Sequence, residues 1–321
     1  MGKKSFFPFI ALVAITSGFT GNAGNPLELR SPDGTLKIVV RLDDKITYDL
    51  SVNELIVLEN CGIGLETSTA VFGEKPKLVG QKRASVNESI EPVVPLKFAT
   101  VKNQYNNLLL NFKGNYAVEF RAFDEGVAYR IILNQKGEIE VLNEDISFHF
   151  PDNYHLHLQP AGGFKTSYED DYLHLNANEW KPQDRIATLP FLIDTRKNCK
   201  ILISESDLSD YPGFFLKSAG HSSVVATFPK MPLAFGDDGD RSVKITKEAA
   251  YIAKTAGTRA FPWRYFVVAK TDAQLAENTM TLKLAAKSEL ADISWIQPGQ
   301  ASWEWWNGAA PYGQDVNFVS G

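Results

Sequence analysis

The chain has 321 residues, of which 44% are hydrophobic and 12% aromatic, enough to bury one large or two modest globular cores and too apolar for a disordered chain. Its formal net charge is -5. With no run of five Lys or Arg, nothing in it matches a phosphate backbone, and no nucleic acid is expected as a partner.

In chain order, Lys3-Lys4 precede an apolar stretch from Phe6 to Ile15, followed by small and polar residues around Ser17 to Gly24. That order predicts a signal peptide over residues 1–24 and export across the inner membrane. The apolar stretch is shorter than the ~20 residues that span a bilayer. No later segment reaches that length and no Cys follows the stretch, so neither a membrane anchor nor a lipid attachment site is expected.

From residue 25 to 270 the dominant period is two. Leu36, Ile38, Val40 and Leu42 alternate with more polar residues, Asp43-Asp44 turn, and Ile46, Tyr48, Leu50 and Val52 continue on one face, which predicts a hairpin. A second hairpin follows from Tyr116, Val118, Phe120 and Ala122, the turn Asp124-Glu125-Gly126, and Val127, Tyr129, Ile131 and Leu133. Further turns are expected at Asp33-Gly34, Lys136-Gly137, Gly162-Gly163 and Asp238-Gly239. Closely spaced strands with almost no helical pattern between them predict an all-β fold of two packed antiparallel sheets, larger than an immunoglobulin-type domain.

The pattern changes after Lys270. Thr271-Asp272-Ala273-Gln274 has the spacing of a capping box and predicts a linker helix within residues 271–290. Asp292 to Gln297 reads as a short apolar strand ended by Pro298-Gly299, and Trp303, Trp305 and Trp306 follow.

Several residues have chemistry worth weighing. Cys61 and Cys199 are read as two buried thiols, with a bridge as the alternative. His155 and His157 lie two apart on an expected strand, so both face one side and could share a metal, although no third ligand is evident. The plainer reading is a polar strand face. Asp237, Asp238 and Asp240 lack the ligand spacing of a calcium loop and read as a solvated turn. Glu205, ending the apolar run Ile201-Leu202-Ile203, could reach a cation or a sugar hydroxyl, or serve as a turn acid. The Trp cluster could stack on pyranose faces or fill a core.

Five motifs occur in register: Asp124-Glu125-Gly126-Val127-Ala128-Tyr129-Arg130; Ser167-Tyr168-Glu169 with Tyr172; Glu205-Ser206-Asp207-Leu208 with Asp210-Tyr211-Pro212-Gly213; Pro262-Trp263-Arg264; and Trp295-Ile296-Gln297-Pro298-Gly299 with Trp303-Glu304-Trp305-Trp306. Together they resemble the amino-terminal half of glycoside hydrolase family 97. The resemblance implies a galactose-mutarotase-like β-super-sandwich over residues 25–270, the linker helix at 271–290, and over 291–321 the first strand of a truncated (β/α)8 catalytic barrel. It also implies an exo-acting, α-glucosidase-like enzyme, with an α-galactosidase as the alternative, that takes α-linked oligosaccharides in the periplasm. Glu205 would lend a carboxylate to a calcium completed by the barrel, and Trp305 and Trp306 would border the sugar. A barrel needs roughly 250 residues, against the 31 from Ala291 to Gly321, so no catalytic residue is assigned and the fragment alone is expected to be inactive. Two rivals are a non-catalytic carbohydrate-binding sandwich and a mutarotase-like epimerase built on His155, His157 and Glu169.

Overall fold

The alternating segments form the strands their period demands. Leu36–Leu42 and Ile46–Val52 pair antiparallel with Leu42 opposite Ile46, and Tyr116–Phe123 pairs with Gly126–His149 with Phe123 opposite Gly126. In both hairpins the apolar set turns inward, since side chains alternate across a strand and only one face meets the core. Residues 27–239 and 242–300 are described, in a computed structural model. Nineteen strands join one hydrogen-bonded sheet system, and a separate two-stranded hairpin is built from Pro232–Asp237 and Val243–Glu248.

The strand Gly126–His149 ties the architecture together. Its first half pairs with Tyr116–Phe123 and Trp263–Ala269, and its second half with Leu55–Thr67 and Ser223–Thr227. The system therefore closes over one main apolar core as a large antiparallel sandwich. At its centre Tyr48 packs on Phe120, Tyr129 and Phe266 with ring centroids 6.2, 5.5 and 6.2 Å away. Such aromatic pairs contribute about 0.5–1.5 kcal/mol each beyond buried area.

Gly126 lies where no side chain fits: a Cβ there would stand 2.3 Å from the carbonyl oxygen of Phe266 on the neighbouring strand. That close approach sets the position of Trp263–Ala269 against the long strand.

Three expectations change. Lys136-Gly137 is not a turn but lies within the continuous strand Gly126–His149. The long strand sets three residues, Gln135 to Gly137, opposite the single Gly257 that lies between Ala256 and Thr258, and Gly257 lets the backbones approach at this bulge. The single helix expected after Lys270 is two, Asp272–Ala276 and Met280–Leu284. The first has the predicted box: Thr271 Oγ1 accepts from the Gln274 N–H, and Gln274 reaches back to the Thr271 backbone. The second buries Met280 and Leu284 on Tyr105, Phe123, Trp263 and Tyr265, so this segment covers the outer face of the sheet. Finally, Asp292 to Gln297 forms no strand. Ile293 is exposed and Trp295 is 69% exposed, because among the described residues no neighbouring strand offers them backbone partners.

Cys61 and Cys199 are both buried free thiols. Burial pushes the Cys61 thiol up to about 12 and that of Cys199 to about 11, which keeps both protonated and inert. Among the described residues no helix is long and apolar enough to cross a membrane.

Candidate functional site: the Glu205 cleft

The strand Lys200–Ser206 pairs with Trp263–Ala269 so that Glu205 lies directly opposite Arg264. Period two then separates the neighbours of the Pro262-Trp263-Arg264 motif. Trp263 points to the outer face, held between the guanidinium groups of Arg121 and Arg130, 4.4 and 4.3 Å from its ring. Arg264 points inward and is 1% exposed. There it donates through Nε and Nη2 to the two oxygens of Glu144, at 3.0 and 2.7 Å, and through Nη1 to Glu205 Oε2. The rings of Phe214, Phe228 and Tyr211 surround its guanidinium at 4.9, 5.7 and 5.9 Å.

One cation thus faces two carboxyl groups in an aromatic shell. The bidentate grip of Glu144 has the stronger geometry. Burial pushes the Glu205 carboxyl up to about 7, because Arg264 and the Phe214 N–H offset only part of its desolvation and Glu144 repels it. Burial works against the Arg264 charge too, but Glu144 and Glu205 outweigh it and hold the guanidinium above its usual range.

The two oxygens of Glu205 differ. Oε2 accepts from Arg264 and, at 3.4 Å, from the Phe214 N–H. Oε1 has no hydrogen-bond partner among the described residues and stands 2.7 Å from where a Cβ on Gly213 would be. Gly213 is therefore the residue that gives this oxygen its space. Glu205 borders a cleft of about 400 Å³ walled by Phe164, Tyr168, Phe215, Gln159 and Thr188. Tyr168 stacks on Phe215 at 6.1 Å with 25° between the rings. Gln159 fastens the backbone of the Tyr168 loop by donating to the carbonyls of Tyr168 and Asp170. An aromatic wall, a few polar groups and one carboxylate oxygen suit a polyhydroxylated ring.

The other motif residues support this place. Asp210 accepts from Thr255 and Arg259, and Ser206 donates to the Thr281 carbonyl, which docks the second helix under the Glu205 strand. Asp207, at φ +64°, accepts from the Ala286 N–H. Glu144 was not among the sequence candidates. It lies 61 residues before Glu205 on another strand, and nothing in its local pattern separates it from other strand acids.

A family model described as Glycosyl-hydrolase 97 N-terminal matches residues 29–286. The chain belongs to glycoside hydrolase family 97. It is 33% identical over 324 positions to a protein named retaining alpha-galactosidase from Bacteroides thetaiotaomicron, covering 97% of this chain and 48% of that protein. A probable retaining alpha-galactosidase from Streptomyces bingchenggensis is 28% identical, covering 98% and 46%. The chain therefore spans about half the length of the curated relatives it matches. In fold it is similar to a family 97 enzyme from Pseudoalteromonas sp. strain K8 solved with acarbose, with a TM-score of 0.74 and 23% identity over 85% of this chain and 40% of that one.

Within this family 97 chain, Glu205 borders a cleft. Trp305 and Trp306 lie outside the described residues, as does Asp240. Asp238 is an exposed hairpin residue paired with Lys165 at 3.2 Å. His155 and His157 border neither the Glu205 cleft nor the second cleft of about 320 Å³ beside Glu144. Among the described residues no three His, Cys, Asp or Glu converge as a metal site. Calcium takes six to eight oxygens, and Glu205 offers one, so the residues described fit one corner of such a site.

Proposed function

We propose that this chain is the amino-terminal part of an exo-acting, retaining α-glycosidase that removes a terminal α-linked galactose from oligosaccharides. The carrying observation is the unpaired Oε1 of Glu205, held at the mouth of an aromatic cleft by Arg264 and the Phe214 N–H. Galactose is preferred over the glucose expected from the motifs because the relative with 33% identity over 97% of the chain is named an alpha-galactosidase, whereas the acarbose-bound neighbour, at 23% identity, speaks only for the fold.

In this reading Glu205 supplies one ligand to a calcium, the rest coming from residues beyond those described, with Trp305 and Trp306 stacking on the sugar. When bound, the ion would orient the sugar hydroxyls and stabilise charge as the glycosidic bond breaks. The chain's own part is to hold Oε1 in place, to keep Arg264 from swinging away through the Glu144 grip, and to present Tyr168 and Phe215 to the ring. The proton donor and opposing carboxylate that a glycosidase requires are assigned to the remainder of the enzyme, so residues 1–321 alone are inactive. Export to the periplasm belongs to the same proposal and rests on the Lys3-Lys4 and Phe6 to Ile15 pattern.

The test offers aryl α-galactosides and aryl α-glucosides to residues 1–321 and to the chain joined to whatever its gene encodes after Gly321. Release from the galactoside by the longer protein only is expected. Hydrolysis by residues 1–321 alone, or preference for the glucoside, would overturn the assignment.

A further inference from the structure

The sequence left His155 and His157 without a third histidine, and the fold supplies one. Strand Leu173–Asn176 pairs with His155–Leu158 so that His174 lies directly opposite His157. Their Nδ1 atoms are 2.7 Å apart and their ring centroids 4.9 Å apart. His155 packs edge-on to His157 but turns its Nδ1 to Arg196, 3.1 Å away. Neither cleft includes these rings. His174 is exposed and His157 half-buried, so water and solutes reach the pair.

Two imidazole nitrogens that meet at the surface can take one metal between them once the hydrogen bond that joins them is given up. Copper(II) heads the affinity order of divalent first-row metals for nitrogen ligands.

We propose that His157 and His174 form a surface site for a divalent metal ion, copper(II) before zinc(II), with water completing the shell. The proton now shared between the two Nδ1 atoms passes to an Nε2 when the metal enters, so two neutral rings bind without net proton release. Among the described residues, Leu173–Asn176 has its one ladder with His155–Leu158, and it follows the loop that carries Tyr168. A metal across the pair therefore clamps Leu173–Asn176 to its neighbouring strand.

The test titrates the full chain with copper(II) chloride and then with zinc(II) chloride by calorimetry, with electron paramagnetic resonance on the copper form. One copper per chain with hyperfine splitting from two imidazole nitrogens is expected, together with a higher Tm in copper. His157→Asn and His174→Asn should each weaken copper by more than about 100-fold, beyond the 10- to 100-fold cost of altering an outer-shell partner. His155→Asn should keep the site. Circular dichroism verifies that each variant folds. Zinc binding as tightly as copper overturns the preference for copper. Equal loss in His155→Asn overturns the two-ligand assignment, and unchanged copper binding in His174→Asn overturns the site.

Discussion

The buried triad makes a sharp prediction about Glu205→Gln. In the folded chain Glu205 holds its proton up to about pH 7, against 4.5 for an ordinary glutamate. A carboxyl with a raised folded pKa binds more protons folded than unfolded, so its contribution to stability is greatest below the unfolded pKa and is lost as pH rises from 4.5 through 7. A gap of about 2.5 pH units at 1.36 kcal/mol each comes to about 3 kcal/mol. At 11% side-chain exposure solvent screening removes little of it. Glutamine keeps the shape and an oxygen for Arg264 but cannot ionise. In urea unfolding followed by circular dichroism, the variant should match the parent near pH 4.5 and exceed it by about 2–3 kcal/mol near pH 8. Glu144 still balances Arg264 in the variant, so the cation is not orphaned. A parent-minus-variant difference that stays flat with pH, or one in which the parent gains at high pH, would refute the view that Arg264 is committed mainly to Glu144.

Gly126→Ala forces a Cβ to within 2.3 Å of the Phe266 carbonyl, so the two strands must part; a loss of about 3 kcal/mol or more, or insolubility, is expected in thermal unfolding. Thr271→Ala deletes the hydroxyl that accepts from Gln274 and should cost about 1 kcal/mol, read as a Tm drop of about 2–4 °C. Because the described residues give calcium a single carboxylate oxygen, treatment of this chain with EDTA should leave its Tm within about 1 °C; a larger fall would mean that the chain holds a complete site by itself.

Local pattern carried much of this fold into view. The Tyr116–Phe123 and Gly126–His149 hairpin and the Thr271 cap were legible because a strand's period and a helix's first turn are interactions between residues near in sequence. Lys136-Gly137 misled for a related reason: a polar pair with glycine signals a turn wherever the chain reverses, but whether it reverses depends on a partner strand more than a hundred residues later. Asp292 to Gln297 misled because apolar residues become a strand only beside another strand.

At the site the division follows the same line. The amino-acid sequence alone determined the sandwich class and the family, since each depends on composition, spacing or an ordered set of short motifs, and it raised Glu205 as an expectation. Only the tertiary structure decided that Arg264 divides its charge between Glu144 and Glu205, that Gly213 leaves space for one oxygen, and that His174 meets His157. Antiparallel register fixes those juxtapositions, and the electrostatic cost of burying two acids around one cation arises only once the core has closed over them.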